Sequence, residues 1–80
     1  MSKKPEIVII KFEEGELKVK CQYIKFDPIK KSLHYEFEEN RAVIWIPNIM
    51  SVSRGSTIVN FVDIQDLTKF ITAIKNLLFD

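Results

Sequence analysis

One cysteine and one histidine are the side chains in this sequence with the greatest chemical capability. Cys21 and His34 are the single residues of their types among 80 positions, and a thiol beside an imidazole can act as a nucleophile and its base. Cys21 falls on an apolar alternating face with Leu17, whereas His34 alternates in phase with Glu36 and Glu38. We therefore predict a buried structural thiol and an exposed histidine. We predict no metal site, because zinc needs three or four convergent ligands.

Acidic residues form two clusters, and both coincide with predicted turns. Paired catalytic carboxylates need burial, which turn positions do not provide. We interpret both clusters as solvation and as protection of sheet edges. They comprise Glu13, Glu14 and Glu16, and Glu36, Glu38 and Glu39.

One polar loop, from Ser51 to Thr57, has the composition of an anion site. Arg54 and the backbone amides near Gly55 are groups that can hold a phosphate, although an ordinary hairpin connection uses the same residue types. With only two glycines, the chain has no glycine-rich phosphate loop, dinucleotide motif or nucleophile elbow. We favour the hairpin connection and predict no enzymatic activity and no cofactor.

Composition describes one small globular domain. Hydrophobic residues make up 46% and charged residues 29% of the chain, which is typical of a folded protein. The net charge of +1 excludes a strongly cationic nucleic-acid coat and an acidic nucleic-acid mimic. No apolar run approaches the roughly 20 residues of a membrane span. With no signal segment and one cysteine, we expect a cytoplasmic protein with a flexible N-terminus at 1–5 and one domain over 6–80.

Residues 6–62 have the pattern of β-strands. The alternation changes phase after Tyr23, since Ile24 and Phe26 fall on the lysine face, and a bulge or bend near Tyr23 would restore it. Turn signals separate the β-branched and aromatic runs. They are Glu13–Glu16, Asp27-Pro28, Glu39–Arg41, Pro47-Asn48 and Arg54–Ser56.

Residues 63–79 predict one amphipathic helix. Asp63 is its predicted N-cap, and Asp66 suits the positive helix end. Strands followed by one helix predict an α+β fold: a curved antiparallel sheet of four to six strands with the C-terminal helix packed on one face. The apolar stripe has spacings of three and four residues and consists of Ile64, Leu67, Phe70, Ile71, Ile74, Leu77 and Leu78.

Such a fold leaves apolar sheet surface uncovered. A helix about 24 Å long and about 10 Å wide covers about half of a five-stranded sheet. The runs Ile7–Ile10 and Val43–Ile46 are apolar on both faces, and such strands are usually covered on both. Either the sheet curls within the monomer or its second face contacts a partner.

We favour a small non-catalytic protein, accessory, regulatory or inhibitor-like, that binds another protein or a second copy of itself. Trp and Tyr are common interface anchors, and the predicted contacts are Trp45, Ile44, Phe26 and Tyr35. The alternative is a single-stranded nucleic-acid-binding protein, in which lysines hold phosphates and a tyrosine stacks on a base. Its predicted contacts are Lys18, Lys20, Tyr23, Lys25, Lys30 and Lys31.

The second half of the chain also resembles the end of a pleckstrin-homology domain. The resemblance lies in Ile46–Val52, a following strand and a terminal amphipathic helix. It implies an analogy of fold and assigns no site.

Overall fold

The computed structural model describes residues 5–79, which form seven strands and a helical C-terminal segment. The predicted flexible N-terminus therefore lies outside the described residues, except for Pro5. The strands are β1 Ile7–Phe12, β2 Gly15–Lys20, β3 Ile24–Asp27, β4 Ser32–Phe37, β5 Asn40–Trp45, β6 Ile49–Arg54 and β7 Thr57–Asn60. The helices are α1 Phe61–Ile64 and α2 Leu67–Phe79.

The strands form two antiparallel sheets. The larger has the order β2-β1-β6-β7 and the smaller β3-β4-β5. The α+β class is confirmed, and two packed sheets replace the single predicted one. The cause is a pair of three-residue 3-10 turns, Cys21–Tyr23 and Ile46–Asn48, that carry the chain between the sheets. The first is the predicted bend near Tyr23, and it lets Cys21 and Ile24 both be buried.

Both sheets and the helix share one hydrophobic core. Each central strand contributes to it, with Val8 and Ile10 from β1, Leu33 from β4, and Ile49 and Val52 from β6. The helix α2 packs against β6 and β7. The predicted helical stripe is confirmed, since its later positions are among the buried residues. The core consists of Val8, Ile10, Val19, Cys21, Ile24, Leu33, Ile44, Ile46, Ile49, Val52, Phe70, Ile74, Leu77 and Leu78.

The helical segment is broken in two, which corrects its predicted start. Gln65 adopts a left-handed conformation (φ 53°, ψ 28°) and ends the short helix α1, which contains Asp63. The N-cap of α2 is Asp66, whose Oδ1 accepts a hydrogen bond from the Lys69 amide at 3.1 Å. Asp63 and Asp66 can each cap a helix that carries this apolar stripe, so the pattern alone could not decide between them.

Two of the predicted turns form at the predicted residues, Asp27-Pro28 and Arg54–Ser56. Asp27 Oδ1 accepts hydrogen bonds from the amides of Ile29 and Lys30 at 3.1 and 3.0 Å, which closes an Asx turn before β4. Gly55 turns the chain between β6 and β7 with φ +64°, a conformation that costs other residues free energy.

Arg54 joins the two ends of the described chain. Its Nη1 donates to the carbonyls of Leu77 and Leu78 at 3.1 and 2.9 Å, and its Nε donates to the Pro5 carbonyl at 2.7 Å. The Cys21 thiol donates to the same Leu78 oxygen at 3.1 Å. The last carbonyls of a helix lack intrahelical partners and carry partial negative charge. Arg54 therefore caps α2 through side-chain hydrogen bonds and a favourable charge.

Candidate functional site

Most of the exposed apolar side chains among residues 5–79 line one open groove of about 1220 Å³. We call it the apolar groove. Isolated apolar residues are common on protein surfaces, whereas a contiguous patch marks a binding site. Of the ten exposed large hydrophobic residues in the described chain, seven lie in this groove: Leu17, Val43, Trp45, Met50, Ile58, Phe61 and Val62.

The apolar groove follows one side of β5. Ala42 and Ile44 reach it from the inner face of this strand, and Val43 and Trp45 reach it from the outer face. Successive side chains of a strand point to opposite faces of the sheet, so a groove lined by four consecutive residues must pass along the edge of the strand. In β5 this is the edge that faces away from β4. The opposite walls come from the β1–β2 hairpin, from β6 and β7, and from α1.

The structure separates the residues predicted to contact a partner. Trp45 is 49% exposed in the apolar groove, whereas Ile44 is 4% exposed and belongs to the core. Ile44 is therefore wrong as a surface anchor, because period-two alternation turns it inward between Val43 and Trp45. Phe26 and Tyr35 are half-buried against the core and line a second groove, which shares Ala42 and Val43 with the apolar groove.

Sequence reasoning missed several of the groove residues. Val43 was recognisable from its alternation with Ile44, since a strand with one buried face must present its neighbours outward. Met50 and Val62 could not be recognised in this way, because no local sequence pattern reveals that β6 and α1 face β5 across a groove.

The second groove, of about 820 Å³, contains only part of the predicted nucleic-acid surface. Tyr23 and Lys25 line it, together with acidic Asp27 and Glu36. Lys18 lies on β2 in the other sheet, and Lys30 and Lys31 lie in the β3–β4 turn.

Two members of the predicted nucleic-acid surface are engaged within the chain. The Lys20 ammonium lies 4.7 Å from the centre of the Phe37 ring, and the Tyr23 ring centre lies 4.4 Å from the same ring. Stacking on a base would have to compete with these contacts. The predicted residues therefore do not form one continuous basic and aromatic face.

Cys21 and His34 have separate environments. The buried thiol donates to the Leu78 carbonyl, as predicted for a structural cysteine. His34 is half-buried rather than exposed, and its Nε2 lies 3.1 Å from the hydroxyl of buried Ser32. Within residues 5–79, no three potential ligands of His, Cys, Asp or Glu type converge on a metal position.

The polar loop around Gly55 is a hairpin connection, as favoured from the sequence. Arg54, its single cation, already bonds three carbonyl oxygens. Its Nη1 and Nε donors are therefore directed at the ends of the chain and not at a ligand in the loop.

Comparison with known proteins identifies no relative of this chain. No protein-family model, no curated protein and no solved structure matches this chain. None of the helices in the described range is long and apolar enough to cross a membrane. The apolar groove is therefore the feature on which a function can be argued.

Proposed function

We propose that this chain is a small non-catalytic binding protein that holds a polypeptide in the apolar groove. One observation carries the proposal: seven of ten exposed large apolar residues of the described chain meet in this groove. Burying such residues against a partner removes apolar area from water, which is the main favourable term in protein association.

The composition of the groove favours a polypeptide over other ligands. Trp45 and Met50 supply an apolar centre, and Lys11, Glu13 and Asn60 contribute charged or polar groups of both signs. An apolar centre with a mixed polar rim is the usual anatomy of a protein interface. A nucleic acid or an anionic membrane surface would favour cations instead.

We further propose an accessory or regulatory role in the cytoplasm. Cys21 is a buried free thiol, so the fold needs no oxidising compartment. A polypeptide bound in the groove would have part of its own surface covered, which is how an accessory or regulatory protein can act.

Single-stranded nucleic acid is the second candidate, supported by Tyr23 and Lys25 in the second groove. Its support is weaker, because Asp27 and Glu36 balance the charges of Lys25 and Arg41 in the same groove, which leaves no net positive charge to attract phosphates. Fluorescence anisotropy with a labelled oligonucleotide tests this candidate. Binding that falls with salt and is lost in Lys25→Glu would favour it over the polypeptide.

Site-specific photo-crosslinking tests the polypeptide proposal in the native cell. A photoreactive residue at Val62 or Met50 should give protein adducts after irradiation. The same residue at Ile29, which is 90% exposed and outside both grooves, is the matched control. Adducts at the groove positions alone support the proposal, and equal yields at all three positions contradict it.

A further inference from the structure

The edges of the two sheets are not equally protected against pairing. An unpaired strand edge is a template for another strand, and proteins block it with charges, short strands or covering elements. Within residues 5–79, β2 and β7 end the larger sheet and β3 and β5 end the smaller one. β2 carries Glu16, Lys18 and Lys20, and β7 is four residues long and contacts α2.

The edge of β5 lacks these protections. β3 has only four residues and carries two charges, whereas β5 has six residues, and its last four are Ala42, Val43, Ile44 and Trp45. Arg41 is its single charged residue, and the strand contains no glycine or proline. This edge borders the apolar groove, so a strand added here would also bury groove side chains.

The hydrogen-bond register shows which backbone groups β5 offers. The Ile46 amide donates to the Lys31 carbonyl, so residue 46 points toward the β4 side. In an antiparallel strand this direction alternates from residue to residue, and Trp45 keeps an extended backbone. Ile44 and Ala42 therefore also point toward β4. The N–H and C=O groups of Arg41, Val43 and Trp45 therefore point away from β4. Val43 and Trp45 line the apolar groove, and Arg41 lies next to it in the second groove.

We propose that the polypeptide held in the groove is a second copy of this chain, paired antiparallel through β5. This inference rests on the proposed function and names its partner. With Val43 opposite Val43 of the second copy, the outward backbone groups at positions 41, 43 and 45 all find partners. The two three-stranded sheets become one sheet of six strands across the twofold axis.

The side chains of β5 are self-complementary in this register. Arg41 of each copy lies opposite Trp45 of the other, where a guanidinium can stack on an indole face. The side chain of Arg41 is 78% exposed although its Nε lies 2.8 Å from Glu36 Oε2, and the side chain of Trp45 is 49% exposed in the groove. Val43, 53% exposed, meets its own equivalent on the axis, so no charge is placed against a like charge.

Light scattering and Trp fluorescence test the inference on the purified chain. Between micromolar and millimolar concentration, the mass should rise from 9.4 kDa toward twice that value. Trp45 is the only tryptophan, so its emission should shift to shorter wavelength over the same range. A constant monomer mass with unchanged emission would overturn the inference.

Two substitutions at Val43 separate pairing from folding. Val43→Pro removes only the outward amide, and proline is tolerated in edge strands whose amide faces solvent. It deletes two hydrogen bonds of the symmetric pair and should raise the dissociation constant by about tenfold or more. Val43→Lys places like charges on the axis and should give a monomer at every concentration, while Ile29→Lys, the control outside the groove, should dimerise normally.

The crosslinking experiment distinguishes failure of this inference from failure of the proposed function. Adducts at Val62 made of two copies of the chain support the second copy. Adducts with a different protein keep the proposed function and overturn the dimer. Absence of groove-specific adducts, together with a constant monomer mass, overturns both. Unchanged dimerisation in folded Val43→Lys would overturn pairing through β5.

Discussion

Replacing Arg54 by methionine should loosen both ends of the described chain at once. Methionine keeps an unbranched apolar stem of comparable reach but has no donors for the carbonyls of Pro5, Leu77 and Leu78. Two of the last carbonyls of α2 then lose their side-chain partner, and the negative helix end loses its cation.

The size of the effect follows from the geometry. Hydrogen bonds to a charged group contribute about 1.5–3 kcal/mol each when both groups are buried. The two bonds to α2 share one nitrogen, and the bond to Pro5 is exposed. We therefore count about one full bond and a smaller second one, and expect a loss of about 2–3 kcal/mol. For a domain of this size, that is a large part of a total stability of about 4–12 kcal/mol.

Urea denaturation measures this loss, and Cys21 reports it locally. The midpoint should fall by about 2–3 M, given a urea dependence near 1 kcal/mol per molar for a small domain. Cys21 is buried against the Leu78 carbonyl, so its reaction with a thiol reagent requires the end of α2 to detach. That reaction should become faster in Arg54→Met.

Arg41, the other arginine of the sequence, provides the matched control. It forms a 2.8 Å ion pair with Glu36 on the surface, where the side chains are 78% and 63% exposed. Such pairs contribute about 0–1 kcal/mol, so at micromolar concentration, where the chain is a monomer, Arg41→Met should change the midpoint little. Equal midpoints for Arg54→Met and Arg41→Met would refute the reasoning about the helix cap.

Three further substitutions test the turns, the cap and the groove. Gly55→Ala should lower the free energy of unfolding, measured by heat or urea, by about 1–2 kcal/mol, because Gly55 has a positive φ. The new Cβ would also lie 2.9 Å from Pro5 Cγ. In the control Gly15→Ala the Cβ meets open space, so this substitution should be nearly neutral. Asp66→Ala should cost about 1 kcal/mol as loss of the N-cap, and a larger cost for Asp63→Ala would show that the cap is misassigned. Trp45→Ala should weaken partner binding and cost well under the about 3–5 kcal/mol typical of a core aromatic; unfolding of this variant would place the indole in the core.

Local sequence patterns predicted the elements better than their arrangement. The apolar stripe of α2 and the bend near Tyr23 followed from periodicity, because burial is repeated at each turn of a helix or every second strand residue. The start of α2 at Leu67, after the N-cap Asp66, did not follow from periodicity, since Asp63 offers the same capping chemistry. The 3-10 turn at Ile46–Asn48 was marked by Pro47, but proline does not reveal that the chain changes sheets there.

The candidate site depended on pairings between distant parts of the chain. Trp45 was predicted from its residue type and is exposed, whereas Ile44 was assigned to the surface because its run is apolar on both faces. The opposite wall of the apolar groove, including Val62, is brought into place by the pairing of β6 with β1 and β7. A pattern read along the chain carries no information about that pairing.

The position of β1 between β2 and β6 limits which fragments of this chain can fold. A fragment ending before Ile49 leaves one edge of β1 open, with the fully buried Val8 and Ile10 turned to water. During synthesis, the β1–β2 hairpin would keep one unpaired strand edge until β6 has emerged from the ribosome. Chaperone binding to nascent chains should therefore persist until α2, which shares the core with Val8 and Ile10, has left the exit tunnel.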